Sequence, residues 1–199
     1  MTIPSPEARR KFPIWIIFVI VGAVLLTLCV GGIAVFGVYN ALSQNLLPAS
    51  SPPALFVASD GQSQVRAPDN WQELPELHDD AEIRIGNEVG ETYLIVLTEA
   101  REDFGELPLD EYIDLVTGSF SETIENAEFS DVRTLTINGM EALQLDITGT
   151  VDATDISYTI TCVAGETNYF QLINWTLAEQ AERNRSLLDG VITSFEQLP

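Results

Sequence analysis

The chain has 199 residues, of which 30 are Asp or Glu and nine are Lys or Arg, so its formal net charge is −21 at pH 7. After position 40 there are six arginines, no lysine and 29 acidic residues. This imbalance excludes nucleic acid as a partner and disfavours close contact with anionic lipid, because both require basic protein surfaces.

The first predicted element is a transmembrane helix over residues 12–40. The stretch from Ile14 to Val38 is apolar almost throughout. At about 1.5 Å rise per residue it is long enough to cross a hydrocarbon core of about 30 Å. Because three basic residues, Arg9 to Lys11, precede it, we expect residues 1–11 in the cytoplasm and the C-terminal part outside the plasma membrane.

A cleaved signal peptide is the alternative interpretation of this segment. Signal peptides have an apolar region of about 7–15 residues followed by a small-x-small cleavage site. Here the apolar region is much longer, and bulky Tyr39 and Leu47 stand two residues before Ala41 and Ala49. We therefore predict an uncleaved single-pass anchor.

A linker and one domain are predicted beyond the anchor. Residues 41–53 contain three prolines among small and turn-favouring residues, which is typical of a tether. Residues 54–199 are sufficient for one domain with its own core.

The domain begins with alternating strand patterns. Strands are predicted over 55–59, 64–67, 81–86 and 91–100, and the first two are separated by the turn signal Asp60-Gly61. A helix with apolar residues at i, i+3, i+4 and i+7 is predicted from Leu109 to Ile124.

A meander and a second helix complete the predicted domain. Strands over 133–137 and 140–151 flank Asn138-Gly139, a strong hairpin signal, and strands over 155–163 and 168–175 follow. Thr176 and Glu179 match a capping box for the last helix.

The predicted fold class is α+β, an antiparallel β-sheet packed with two long amphipathic helices and preceded by one transmembrane helix. One sheet face is rich in hydroxyl and amide side chains, and we expect it to be at least partly open to water or to a partner. These residues are Thr134, Thr136, Gln144, Thr148, Ser157, Thr159 and Thr161.

Three short motifs in the domain resemble the PsbP-like superfamily, which is named after an extrinsic subunit of the photosystem II oxygen-evolving complex. They are Phe56-x-x-Ser59-Asp60-Gly61, Val65-x-Ala67-Pro68-x-x-Trp71 and the closing Val191-Ile192-x-Ser194-Phe195. The hairpin at Asn138-Gly139 and the order of strands and helices also fit. The resemblance implies an antiparallel sheet flanked by helices, and a binding or assembly role instead of catalysis. It transfers no functional residue by position.

Few side chains are candidates for catalysis. The lone histidine, His78, lies in an acidic stretch and is predicted to be a solvated loop residue. Cys162 alternates with apolar residues, which predicts a small buried side chain and not a reactive thiol. We therefore predict no enzyme, no catalytic residue and no cofactor.

Two loose acidic clusters, Asp79-Asp80-x-Glu82 and Glu99-x-x-Glu102-Asp103-x-x-Glu106, could in principle bind Ca²⁺. Neither matches an EF-hand loop, and we predict solvated charge and no metal site. Trp71 and Trp175 are predicted to be core residues, and the sequon Asn174-Trp175-Thr176 is interpreted as coincidence.

The leading hypothesis is thus a non-enzymatic, single-pass envelope protein whose outer domain is an accessory, assembly or protein-interaction factor. The alternative is a sensor module that binds Ca²⁺ or a small ligand. A hydrolase that uses His78 with two carboxylates is a third hypothesis.

Overall fold

The computed structural model describes residues 52–105 and 107–199. The predicted cytoplasmic tail, the transmembrane segment and residues 41–51 of the linker lie outside this part of the chain, as does Glu106. Neither α-helix within the described ranges has the length and hydropathy that a bilayer crossing requires.

Strands dominate the described part of the chain, which also contains two α-helices of 13 residues each. In chain order the elements are β1 (Ala54–Val57), β2 (Ser63–Ala67), β3 (Gln72–Glu73), β4 (Ile83–Asn87), β5 (Thr92–Ala100), α1 (Leu109–Ser121), β6 (Glu125–Phe129), β7 (Arg133–Ile137), β8 (Met140–Val151), β9 (Thr154–Ala164), β10 (Asn168–Leu177), α2 (Ala181–Thr193) and β11 (Glu196–Gln197).

The strands form two antiparallel sheets. The larger has the order β3-β4-β5-β10-β9-β8-β6, and β7 also pairs with β8, beyond the end of β6. The smaller has the order β1-β2-β11 and so joins the two ends of the domain. Every strand pair is antiparallel, as the sequence predicted.

The predicted hairpin between β7 and β8 is confirmed. Ile137 pairs with Met140, and the turn residues Asn138 and Gly139 have φ angles of 48° and 87°. Both lie in the left-handed region, which Asn and Gly tolerate better than other residues, so this dipeptide fixes the register of the long β8.

Two hydrophobic cores cover the two faces of the larger sheet. Because side chains alternate along a strand, Tyr169, Ile173 and Trp175 of β10 pack on the α1 side, whereas Phe170 and Leu172 pack on the side of α2 and the smaller sheet. The domain thus has helix α1 on one face and helix α2 with the smaller sheet on the other.

The two α-helices were predicted to be longer than they are. Helix α1 ends at Ser121, three residues before Ile124. In its last turns the hydroxyls of Thr117, Ser119 and Ser121 donate to main-chain carbonyls three or four residues earlier, and such bonds compete with continued helix.

The predicted capping box was also wrong. Thr176 belongs to β10, and a 3-10 turn, Ala178–Gln180, separates that strand from α2. The Thr176 hydroxyl instead accepts a hydrogen bond from Asn184 Nδ2 at 2.8 Å, so it ties helix α2 to the sheet.

Three strands were not predicted. β3 and β11 have only two residues each, and β6, with the sequence ENAEF, is polar and largely exposed. None has the alternation of apolar and polar residues that identifies a half-buried strand, so each owes its place to the strand it pairs with: β4 for β3, β8 for β6 and β2 for β11.

Candidate functional site

The predicted polar face is only partly one surface. Thr134 and Thr136 pair with Leu143 and Glu141 and are exposed on the α1 side of the sheet. The other five predicted residues share the α2 side. Two of these, Gln144 and Thr161, are buried there and joined by a hydrogen bond of 2.8 Å.

On the α2 side, Asp146 of β8 is the centre of a charged network. Its carboxylate accepts hydrogen bonds from Arg133 at 2.7 and 3.2 Å and from the Thr159 hydroxyl at 2.8 Å. Arg133 also donates to Gln144 Oε1 at 2.8 Å. Arg185 of helix α2 approaches the same carboxylate at 3.6 Å.

This network keeps Asp146 ionised. Burial alone would raise the pKa of its carboxyl, but the hydrogen bonds from Arg133 and Thr159 and the charge of Arg185 outweigh burial, so the pKa is lowered. Hydrogen bonding to Asp146 conversely raises the pKa of the Arg133 guanidinium. Two of the six arginines after position 40, Arg133 and Arg185, thus form ion pairs with one carboxylate on a strongly acidic domain.

A polar groove lies beside this network, between the sheet and helix α2. We use "the groove" for the space lined by Asp146, Ser157, Thr159, Asn174, Thr176, Ala181, Arg185, Leu188 and Asp189. Its cavity volume is about 20 Å³. That is room for one or two water molecules or for a group of similar size, and it is too small for a cofactor.

Asn174 of β10 is the groove residue whose hydrogen bonding is unusual. Its side chain is 1% exposed, and neither Nδ2 nor Oδ1 has a hydrogen-bond partner among the described residues. Buried carboxamides are normally paired, and an unpaired one costs about 1–3 kcal/mol. The carboxamide therefore offers an unused donor and an unused acceptor at the base of the groove.

His78 was predicted to be a solvated loop residue, and that prediction was wrong. Its side chain is 8% exposed, and its Nδ1 accepts a hydrogen bond from the Asp80 main-chain N–H at 3.0 Å. Burial lowers the pKa of the imidazole, and the charges of Asp80 and Asp79 only partly oppose that effect.

Cys162 is buried, as predicted. It is fully enclosed in the α1-side core, and burial raises the pKa of its thiol well above the usual range, so the nucleophilic thiolate is disfavoured. Nearby, Glu99 accepts hydrogen bonds from the Tyr112 hydroxyl and from Gln171 Nε2, the latter at 2.7 Å. Burial also raises the pKa of Tyr112.

The described acidic residues of the two clusters do not converge. Within residues 52–105 and 107–199, no three His, Cys, Asp or Glu side chains come together in a way that could hold a metal ion. Glu82 accepts a hydrogen bond from Ser59, and Glu99 is held in the buried contacts just described. Asp79 and Asp80 are exposed.

The two tryptophans of the domain are core residues, as predicted. Trp71 is 4% exposed, and Trp175 stacks on Tyr93 with ring centroids 5.2 Å apart. Because Asn174 is buried, the sequon that it begins is inaccessible in the folded domain, which agrees with its interpretation as coincidence.

Sequence reasoning placed Ser157 and Thr159 on the polar face, but it named Thr176 only as a helix cap and Asn174 only within the sequon. It assigned no site role to Asp146 or Arg185. Asp146 was visible as a charge between apolar positions of β8. Asn174 likewise stands between the apolar residues Ile173 and Trp175 of β10. A polar residue between apolar ones marks a position, but it does not show which distant side chains meet there.

This architecture defines an antiparallel-sheet domain with few helices. Several solved structures have a similar fold. Cyanobacterial PsbP (CyanoP) from Synechocystis sp. PCC 6803 is similar with a TM-score of 0.57 and 12% identity, covering 85% of this chain and 97% of that chain. LpqN of Mycobacterium tuberculosis, described as involved in cell envelope biogenesis, is similar with a TM-score of 0.55 and 14% identity, covering 76% and 88%. The chain has a PsbP-like fold.

The similarity is confined to structure. No protein-family model matches the chain. No curated protein matches it in sequence either. The PsbP-like assignment confirms the resemblance drawn from the short motifs, and at identities of 12% and 14% it concerns the fold alone.

Proposed function

We propose that this chain is a non-enzymatic, single-pass membrane protein that displays its PsbP-like domain outside the plasma membrane. There it acts as an accessory or assembly factor by binding another protein of the cell envelope. The observation that carries the proposal is the combination, in one chain, of an apolar segment from Ile14 to Val38 with a strongly acidic domain of this fold.

The state of the reactive side chains supports a role in binding. Cys162 is enclosed in the core, and Nδ1 of the buried His78 is already engaged by the Asp80 main chain. The groove is too small for a substrate of ordinary size. A surface that meets a partner requires none of these groups to react.

The structural neighbours are consistent with an envelope setting. LpqN is described as involved in cell envelope biogenesis, and CyanoP belongs to the PsbP proteins from which the fold takes its name. On the proposed topology, the domain's charge would favour a partner with a basic surface and would keep the domain away from anionic lipid.

Membrane topology is the first test. With Cys29 and Cys162 replaced by alanine, single cysteines introduced at Ser5, before the apolar segment, and at Ser130, in the exposed loop after β6, would be treated in intact cells with a membrane-impermeant thiol reagent. Labelling at position 130 and not at position 5 supports the proposal. Labelling of neither in intact cells, with labelling of both after lysis, would place the whole chain inside and overturn it.

Partner capture is the second test. The full-length chain would be crosslinked in intact cells and purified in detergent, and the same chain with a scrambled domain sequence would serve as the matched control. The proposal expects an envelope protein enriched with the natural chain and competed by an excess of the untagged full-length chain. Recovery of the same proteins with both chains would remove the support for an interaction factor.

A second candidate function, a small-ligand sensor, is favoured by one observation. The carboxamide of Asn174 at the base of the groove has no hydrogen-bond partner among the described residues, which lowers the stability of the folded domain. A group that destabilises the fold in this way is a candidate for binding a ligand. The acidic clusters provide no comparable observation for a Ca²⁺ sensor among the described residues.

A further inference from the structure

We infer that the groove is a recognition site for a primary carboxamide group, such as the side chain of Asn or Gln or a small free amide. The inference depends on the geometry beside helix α2 alone, so it does not require that the chain is anchored in a membrane. It goes beyond the proposed function because it names the chemical group that this surface selects.

The base of the groove determines the hydrogen-bonding pattern. Asn174 carries one donor group and one acceptor side by side, both without a partner among the described residues. A second carboxamide presents the same pair in the reverse order, so the two groups can form two parallel hydrogen bonds. A carboxylate could satisfy only Nδ2, and a guanidinium could satisfy only Oδ1.

The walls of the groove favour a neutral ligand. Arg133 and Arg185 both pair with Asp146, and the charge of Asp189 also lies near these two arginines, so two acids face two cations. A charged ligand would therefore enter without an unused counter-charge, at a desolvation cost that a neutral amide avoids.

The size of the groove limits the ligand to the head of a side chain. A cavity volume of about 20 Å³ corresponds to one or two water molecules. Each of the two Asn174 atoms exposes less than 1 Å² of surface, so the carboxamide must turn toward the groove before a ligand head that displaces this water can bond to it. A ligand of this kind contributes one anchoring group to a larger contact, or binds alone with about millimolar affinity.

The test uses the full-length chain labelled with ¹⁵N-asparagine in detergent micelles. The side-chain amide signal of Asn174 is identified by its absence in Asn174→Leu. Acetamide is titrated in, and sodium acetate and guanidinium chloride at matched ionic strength are the charged probes. We expect the Asn174 signal to shift saturably with acetamide and at least fivefold less at equal concentrations of either charged probe. The signal of Asn126, an exposed residue, serves as the internal control.

Two variants keep the result interpretable if Asn174→Leu does not fold. Ser157→Ala removes a hydroxyl from the groove wall and should weaken acetamide binding severalfold. Thr134→Ala removes a hydroxyl from the opposite sheet face and should leave binding unchanged. An Asn174 signal that does not respond to acetamide, or that responds equally to acetate, would overturn the inference.

The source of the amide is distinguished with two blocked tripeptides, N-acetyl-Gly-Asn-Gly and N-acetyl-Gly-Asp-Gly, both as methylamides. Tighter binding of the Asn peptide than of acetamide supports a partner's side chain as the ligand. Binding of acetamide but not of the peptide supports a small free amide. A preference for the Asp peptide would contradict the site as assigned.

Discussion

Arg133 of β7 and Asp146 of β8 form a two-point ion pair at the sheet's outer edge, with N–O distances of 2.7 and 3.2 Å. The arginine is 40% exposed and the acid 20%. β6 and β7 both pair with β8, and the hydroxyl of Ser130, between them, accepts a hydrogen bond from the Asp146 main-chain N–H at 2.9 Å. Asp146 therefore holds the connection between two edge strands in place as well as lining the groove.

Asp146→Asn should destabilise the domain by about 1 kcal/mol at pH 7, since the Arg133 side chain is 40% exposed and water weakens the pair. The substituted carboxamide can still accept one hydrogen bond from Arg133 or Thr159, which limits the loss. The free energy of unfolding from urea titrations measures the effect. Glu141→Gln, an exposed acid on the same strand, is the matched control and should change stability by less than about 0.5 kcal/mol.

The same pair predicts a pH dependence. Because the pKa of Asp146 is lowered in the folded state, its stabilising contribution is present above the unfolded pKa of about 3.9 and is lost as pH falls through the folded value. The stability difference between the natural chain and Asp146→Asn should therefore be constant from pH 7 to 5 and shrink below about pH 4. A difference that persisted unchanged at pH 2 would contradict the assignment.

Asn174→Leu should stabilise the domain by about 1–3 kcal/mol, because it replaces two unpaired buried polar atoms with apolar ones of similar volume. Gln144→Leu is the matched control. Gln144 is also a buried carboxamide, but its Nε2 bonds to Thr161 and its Oε1 to Arg133, so its replacement should destabilise by a similar amount. Equal losses in both variants would show that Asn174 is satisfied in solution.

Much of the fold could be predicted because its signals are local. The Asn138-Gly139 turn fixes β7 and β8, and the alternation in β9 and β10 specifies which side chains are buried. What could not be predicted depends on partners far away in the chain. β11 exists only because Glu196 and Gln197 pair with β2, near the start of the domain, and helix α2 begins late because β10 extends to Leu177 beside β9.

The candidate site could likewise be predicted only where its signals are local in the sequence. Residue types showed that β8 and β9 carry polar side chains on alternate positions, which indicated a polar surface. They did not show which of these side chains the folded domain encloses: Gln144 and Thr161 are buried, Thr148 is exposed, and Ser157 and Thr159 line the groove. The isolated Asn174 was interpreted through its sequon, although its significance lies in the absence of a hydrogen-bond partner among the described residues.

His78→Asn should remove a pH dependence of stability. The folded pKa of His78 is lowered, so below about pH 6.5 the unfolded chain takes up a proton that the folded chain resists, and the free energy of unfolding decreases as pH falls. Above that pH the imidazole is neutral in both the folded and the unfolded chain, so His78 adds no pH dependence to the free energy of unfolding. The substituted side chain can still accept the Asp80 N–H, so the variant should fold and lose less stability than the natural chain between pH 7 and 5. Urea titrations at several pH values measure this, and parallel curves for the two proteins would contradict it.

Divalent cations should stabilise the full-length chain without discriminating between Ca²⁺ and Mg²⁺. The 29 acidic residues after position 40 repel one another, and dissolved cations screen that repulsion in proportion to ionic strength. No group of three acidic side chains in the described ranges could supply the several oxygen ligands that Ca²⁺ needs. Melting temperatures in millimolar CaCl₂ and MgCl₂ should therefore rise together. A rise of several degrees with Ca²⁺ alone would require a specific site, and the Ca²⁺-sensor hypothesis would then replace the interaction-factor proposal.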